Sequence, residues 1–415
     1  MIISIDFFNV NFQYWWEIQN FRHNPRKVIK FIATFAKIDA QMNVEREIAG
    51  FALPFAAGVL AAAYTGVLFC GDSTPVNIIA FSAICISVCL LLQRENLCLK
   101  EWIIWTAIGA GAIGCGLLSG ITAQHLFETP ETGLHTFTHN INLKLQSAID
   151  ALPFSSNDSK ALIKALLTGE KASLSPQIKE AFRSSGASHI LALSGLHIGI
   201  IYSLLSMITS LAGNSKIMRI IRSVTIICIC GLYTMATGAG DSLVRAFLFI
   251  ILGETAKLTG RYHGLGQIML ASLVIQLVIF PEAIKSIGFQ LSYAAMAGIA
   301  FIYPWLKGFW DSVEKFFKGK LKTLGKPFQW VWNSVALSIA CQITTGPLAY
   351  MYFGTFPTYF ILTNLLALPL TGILIPAALL TILLSGIGWC PGFVATTTEF
   401  LIRLLIRTLE IISAM

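Results

Sequence analysis

HILALSGLHIGIIYSLLSMITSLA (residues 189–212), IMRIIRSVTIICICGLYTMAT (217–237) and SLVRAFLFIILGETA (242–256) follow one another with short polar turns between them. At about 1.5 Å per helical residue, the first two runs are long enough to cross the roughly 30 Å apolar core of a bilayer. Working outward, further apolar runs lie at 49–70, 76–92, 102–122, 265–281, 284–306, 331–351, 358–371 and 372–388. The expected fold is therefore all-α, a polytopic transmembrane bundle of about 10–11 spans. The third run, about 15 residues, is too short to cross unaided and predicts a half-helix or re-entrant element. Pro54, Pro304, Pro347, Pro369 and Pro376 interrupt other runs, which a bilayer tolerates where neighbouring helices or a wet cavity satisfy the freed backbone.

Composition agrees. The 415 residues are 55% hydrophobic and 12% charged, with mean hydropathy +0.71, whereas ordinary globular chains carry about 25% charge. A soluble multidomain enzyme, a disordered chain and a disulfide scaffold are excluded. Cys70, Cys85, Cys89, Cys98, Cys115, Cys228, Cys230, Cys341 and Cys390 form no CxxC pair and read as packing residues within spans. A net charge of +8 fits either a nucleic-acid partner or the basic cytoplasmic loops of a membrane protein.

Loop charge sets the orientation. Segments 22–46, 93–101, 213–222, 257–263 and 307–328 hold lysine or arginine, while 71–75, 238–241, 281–283 and 353–357 hold none. The alternation places the basic loops and the N-terminus in the cytoplasm. Residues 1–46 form a cytoplasmic segment with no secretory signal, and 1–41 read as an extension ahead of Met42. Residues 47–122 hold three spans, 123–188 an external helical piece, 189–392 the transmembrane core and 393–415 an amphipathic helix. Within the external piece, helices are expected near 140–151, 158–168 and 175–185, the last opened by the start signal at Ser173 to Pro176. The loop 307–328 interleaves lysines with Phe309, Trp310, Phe316 and Phe317, a pattern that suits an interfacial helix or stacked single-stranded bases. Glu399, Arg403, Arg407 and Glu410 draw one charged stripe down 393–412, expected either on a surface-lying helix or turned toward the protein interior.

Ionisable groups inside spans cost about 2.5–3.5 kcal/mol on insertion scales and mark where function is to be sought. The densest group is Gly186-Ala187-Ser188-His189-Ile190-Leu191-Ala192-Leu193-Ser194-Gly195-Leu196-His197. Ser194 and His197 share a helix face. His189 lies about 12 Å further along an unbroken helix, too far for both histidines to hold one metal. Gly186 and Gly195 are the candidate hinges. A Ser194 nucleophile with a His197 base would need an acid that no spacing supplies. Lining of a polar cavity, and plain packing, are the other readings. Arg245, four residues after Asp241, can pair with it or grip a phosphate with its planar fork. Gln290 and Ser292, then Gln342, Thr344, Thr345 and Asn364, extend a neutral polar seam, or act as interhelical glue.

These residues resemble the ComEC competence family. The resemblance rests on Gly169-Glu170, the HxLxxSGxH core from His189 to His197, Leu243-Val244-Arg245-Ala246, Gly288-Phe289-Gln290-Leu291-Ser292-Tyr293, Pro347, Tyr352-Phe353-Gly354 and Asn364. It covers about 160–390. It implies a channel core of the bacterial cytoplasmic membrane that passes single-stranded DNA inward during natural transformation. His189, Ser194, His197, Arg245, Gln290, Ser292 and Asn364 would then line or shape the path, with no catalytic residue, metal or cofactor. Many relatives carry an oligonucleotide-binding-type domain and a metallo-β-lactamase-like domain. Residues 123–139 are too short for the first, and no HxHxDH motif marks the second. A channel core without its own nuclease is therefore expected. A DNA receptor, a separate nuclease and a cytoplasmic ATP-driven motor are the expected partners, since no GxxxxGK[ST] motif is present. The alternatives are a transporter of another substrate on the same bundle and an intramembrane hydrolase. Oligomeric state is not legible.

Overall fold

A computed structural model describes residues 50–60, 83–84, 108–116, 133–211, 213, 215–260, 264–308, 325–354, 358–389 and 391–414. The expectations for segment 1–46, span 76–92 and most of the lysine and aromatic loop lie outside the described residues. Among the described residues the chain is helical, with no strand. In order, the elements are α1 (Gly50–Leu60), α2 (108–116), α3 (Gly133–Asp150), α4 (Asn157–Thr168), α5 (Pro176–Ser184), α6 (Ser188–Leu191), α7 (Gly195–Ser210), α8 (Lys216–Ala236), α9 (Asp241–Thr259) and α10 (Leu265–Ile279). They continue with α11 (Ile287–Gly308), α12 (Gly325–Phe353), α13 (Phe360–Gly386) and α14 (Gly392–Ser413).

The local signals act where they stand. Pro176 opens α5, and the Ile178 amide donates to the Ser175 hydroxyl at 3.4 Å, which satisfies one of the orphan donors of a helix start. Gly169, at φ +80°, closes α4 in the left-handed conformation that a Cβ would penalise.

Two runs differ from the sequence reading. Residues 358–371 and 372–388 form a single helix of 27 residues, α13, with Pro369 and Pro376 inside it. α9 runs on to Thr259 as 19 residues, about 28 Å, rather than ending as a short half-helix. The apolar run ended at 256, before Lys257, and Glu254 within it is buried and partnered. It accepts from Tyr202 at 2.8 Å and Ser223 at 2.6 Å, and pairs with Lys257 at 2.7 Å.

The outer surface is apolar. Leu211 is 86% exposed, and Ile217, Ile220, Ile221 and Val224 of α8 also face outward; lipid explains such a surface, water does not. Three described helices, α8, α11 and α13, are long and apolar enough to span a membrane, and α1, α7 and α10 are shorter apolar helices. Close glycine contacts hold helices together, as packing in lipid favours. A Cβ on Gly298 of α11 would stand 2.3 Å from the Ala340 carbonyl oxygen of α12.

One core crosses the expected boundaries at 188 and 393. It joins Ile149, Leu162, Leu166, Phe182 and Ile190 to Leu374 and Ile375 of α13 and to Ile402 and Leu405 of α14. The segment 133–191 thus packs along the α13–α14 hairpin. α14 itself has three sides. Ala395, Ile402, Leu405 and Leu409 are buried, Phe393, Phe400, Leu404 and Ile411 form an exposed apolar stripe, and Arg403, Arg407 and Glu410 stand exposed between them. Of the charged stripe only Glu399 turns inward, where it accepts from the Ser155 and Ser156 amides.

Candidate functional site

Between α5 and α7 the backbone reverses and breaks. Gly186 takes φ +81°, and the Thr363 hydroxyl of α13 donates to the Ser185 carbonyl at 2.7 Å. After the single turn α6, Ala192 returns to an extended conformation and Ser194 caps α7. The break therefore lies at 192–194. Of the two candidate hinges, Gly186 takes the left-handed turn ahead of α6 and Gly195 is the first residue of α7.

The cap uses an uncommon pair. The Leu196 amide donates to the Ser194 hydroxyl at 3.3 Å, and the Ser194 amide donates to His197 Nδ1 at 3.2 Å. A histidine here takes the place usually held by Glu or Gln in a capping box. Because a backbone amide can only donate, Nδ1 is the acceptor and the ring proton sits on Nε2. His197 is 0% exposed, and its Nε2 has no partner. His189 adopts the opposite tautomer, since its Nδ1 faces the Gly186 carbonyl at 3.1 Å and a carbonyl only accepts. His189 is exposed while protein surrounds it on most sides. Ala192 is exposed as well. An accessible break within the bundle is the arrangement that irregular backbone at membrane depth requires.

Arg245 lies against this break. It is 8% exposed, and it forms no ion pair with Asp241 or with any other described carboxylate. The sequence expectation of an Asp241–Arg245 pair is replaced by aromatic contacts. The guanidinium carbon lies 5.6 Å from the Phe249 ring centre and 5.9 Å from that of Tyr293. Its Nε is buried without a partner. A Cβ on Gly195 would stand 3.4 Å from Arg245 Nη2 and 3.3 Å from Ala246 Cβ, so the start of α7 and the arginine are in close approach.

The remaining candidates are bonded into the scaffold. Ser292 meets Ser242 at 2.9 Å, which ties α11 to α9. Gln290 donates to the Ile284 carbonyl at 2.9 Å and accepts from Tyr352 at 2.7 Å. Asn364 donates to Ser338 at 3.2 Å, leaving its buried Oδ1 unpartnered. The structure thus gathers Ser194, Gly195, His197 and Arg245, and distributes Gln290, Ser292 and Asn364 along helix contacts. Tyr293 belongs with the site although only its motif drew notice. Its phenol donates to Gln276 at 3.1 Å and meets Ser272 at 3.2 Å while its ring supports Arg245. Also unforeseen is the Tyr202, Ser223, Glu254 and Lys257 cluster, whose signal was an acidic and a basic residue three apart in an apolar run. Among the described residues no group of three potential metal ligands assembles.

The model of the family described as Competence protein matches residues 166–415. ComE operon protein 3 of Bacillus subtilis (strain 168) is 27% identical over 235 residues, 56% of this chain and 27% of that protein. Uncharacterized protein YcaI of Escherichia coli (strain K12) is 28% identical over 252 residues, 58% of this chain and 31% of that protein. Competence protein ComA of Neisseria gonorrhoeae is 25% identical over 230 residues, 54% of this chain and 30% of that protein. The chain spans less than a third of the length of these curated relatives. No solved structure matches.

Proposed function

The chain belongs to the Competence protein family, and on that footing we propose that its helices form a channel core carrying single-stranded DNA across the bacterial cytoplasmic membrane during natural transformation. The names of two relatives, ComE operon protein 3 and Competence protein ComA, point the same way. The observation that carries the reading is the accessible break between α6 and α7, with exposed His189 and the buried, unpaired Arg245 beside it. Neutral hydroxyls and imidazoles with one arginine suit a polyanion that must bind and leave again. The basic loops face the cytoplasm, as does the N-terminus. A DNA receptor, a nuclease and an ATP-driven motor act with the channel.

The protein works as a conduit and not as a hydrolase. The Ser194 hydroxyl stands 3.2 Å from His197 Nδ1, which also accepts from the Ser194 amide, but His197 Nε2 has no partner, and a serine nucleophile needs a base that an acid orients. Ser194 is itself the cap residue. Transformation frequency measured after chromosomal deletion tests the reading; loss of transformants is expected. Wild-type frequency, with no second copy of the gene present, would refute it. Complementation by Ser194→Ala is expected to restore transport to within a few-fold, whereas a nucleophile's removal would leave none.

A further inference from the structure

The start of α7 and Arg245 place two positive features side by side. A helix N-terminus carries roughly half a positive charge, and cations belong at the other end. Yet Arg245 Nη2 is held against Gly195, the first residue of this 16-residue helix. Arg245 is buried, its Nε has no partner, and no carboxylate among the described residues pairs with it. Burying a charge without a counter-ion costs several kcal/mol, and two aromatic faces offset only part of that. A second donor is unspent at the same helix start, the buried Nε2 proton of His197. The Ser194 hydroxyl and His197 Nδ1 accept within the cap itself, so Arg245 Nε and His197 Nε2 are the groups left without a partner.

We propose that the N-terminus of α7, Arg245 and His197 form a seat for one phosphate group, filled in turn by the phosphodiesters of the passing strand; this rests on the DNA-channel reading above. The planar fork of Arg245 matches two phosphate oxygens, and the helix start adds its dipole to the same anion. Gly195 belongs to the seat through its missing side chain. A methyl group there would stand 3.3 Å from Ala246 Cβ, tighter than ordinary contact, and would touch Nη2 at 3.4 Å, so that it takes up space at the mouth of the seat. One cation with neutral neighbours gives a shallow well, so that each phosphate yields its place to the next.

The test uses the full chain in nanodiscs of zwitterionic lipid, with a fluorescent oligothymidylate as probe. Affinity is measured across a salt series. The same oligomer with methylphosphonate linkages, and inorganic phosphate as competitor, separate strand phosphates from free anion. The wild-type chain should prefer the charged backbone by about tenfold or more. Arg245→Gln should weaken binding by about tenfold and flatten the slope of log K against log salt by about 0.7, the share of one phosphate on a single strand. Arg245→Lys should keep the slope and lose affinity several-fold, because the charge stays and the fork is gone. Gly195→Ala, which leaves every charge in place, should weaken binding several-fold. Unchanged affinity and slope in Arg245→Gln, with the wild type binding well, overturns the seat and leaves the channel reading intact. A wild-type chain that binds no oligonucleotide at any salt overturns the channel reading, and with it the assignment of the seat to a strand.

Discussion

Glu399 shows how one side chain can hold two regions together. Its carboxylate accepts from the Ser155 amide at 3.2 Å and the Ser156 amide at 3.0 Å, and pairs with Arg403 at 2.8 Å. Glu399→Ala strands two amides at the start of α4 and should cost about 2–4 kcal/mol in detergent unfolding experiments. Arg403→Ala removes only the exposed partner and should cost under about 1 kcal/mol. Equal losses would mean that the amide contacts contribute nothing. Glu170 gives a pH signature in the α4–α5 connection. Its carboxyl is held below the usual range, chiefly by the Ser173 hydroxyl; burial pushes the other way as the next largest influence, and the Ser173 and Ala172 amides and Lys164 add to the lowering. A lowered folded value means stability that is present at neutral pH and lost as pH falls below the carboxylate range. The melting-temperature gap between wild type and Glu170→Gln should therefore be open at pH 7 and closed in acid. A gap that persists in acid would assign the effect to packing.

At the scale of elements, the contact between α11 and α12 depends on Gly298. The atoms a Cβ would meet are the Ala340 carbonyl oxygen at 2.3 Å and Thr344 Oγ1 at 2.7 Å, and a helix backbone cannot step aside. Gly298→Ala should lower stability by roughly 1–3 kcal/mol, read as a fall in melting temperature. An unchanged melting temperature would show that the two helices separate at no cost. Elements with local punctuation were legible in the chain itself. The start signal expected at Ser173 to Pro176 opens α5, and α4 ends at Thr168 as expected. Elements decided by tertiary partners were not. The burial of Glu254 depends on Tyr202 and Ser223, 52 and 31 residues away, so the apolar run alone stopped α9 too early. Two runs, 358–371 and 372–388, were expected where Leu374, Ile375 and Ala378 pack into the shared core and α13 continues through Pro369 and Pro376. At the site, the residue types were visible, but the proximity of Gly195 to Arg245 joins two helices and no spacing announces it.

For the whole molecule, loop charge in the sequence supports the orientation proposed above. Labelling of introduced cysteines by a membrane-impermeant thiol reagent, against the background of the parent chain, checks it. Ser173→Cys should react in intact spheroplasts, and Ser215→Cys only after permeabilisation. The reverse pattern would invert the proposed orientation. The long α13 has a consequence for the helix that follows it. Being unbroken, α13 turns the chain only once, at its C-terminal end. α14 then folds back alongside it, joined by the Thr381–Thr398 hydroxyl contact at 2.9 Å. Its exposed Arg403 and Arg407 cannot border acyl chains without penalty, whereas its phenylalanine stripe gains by doing so. α14 is accordingly a shoreline, with hydrocarbon lapping one flank and water the other.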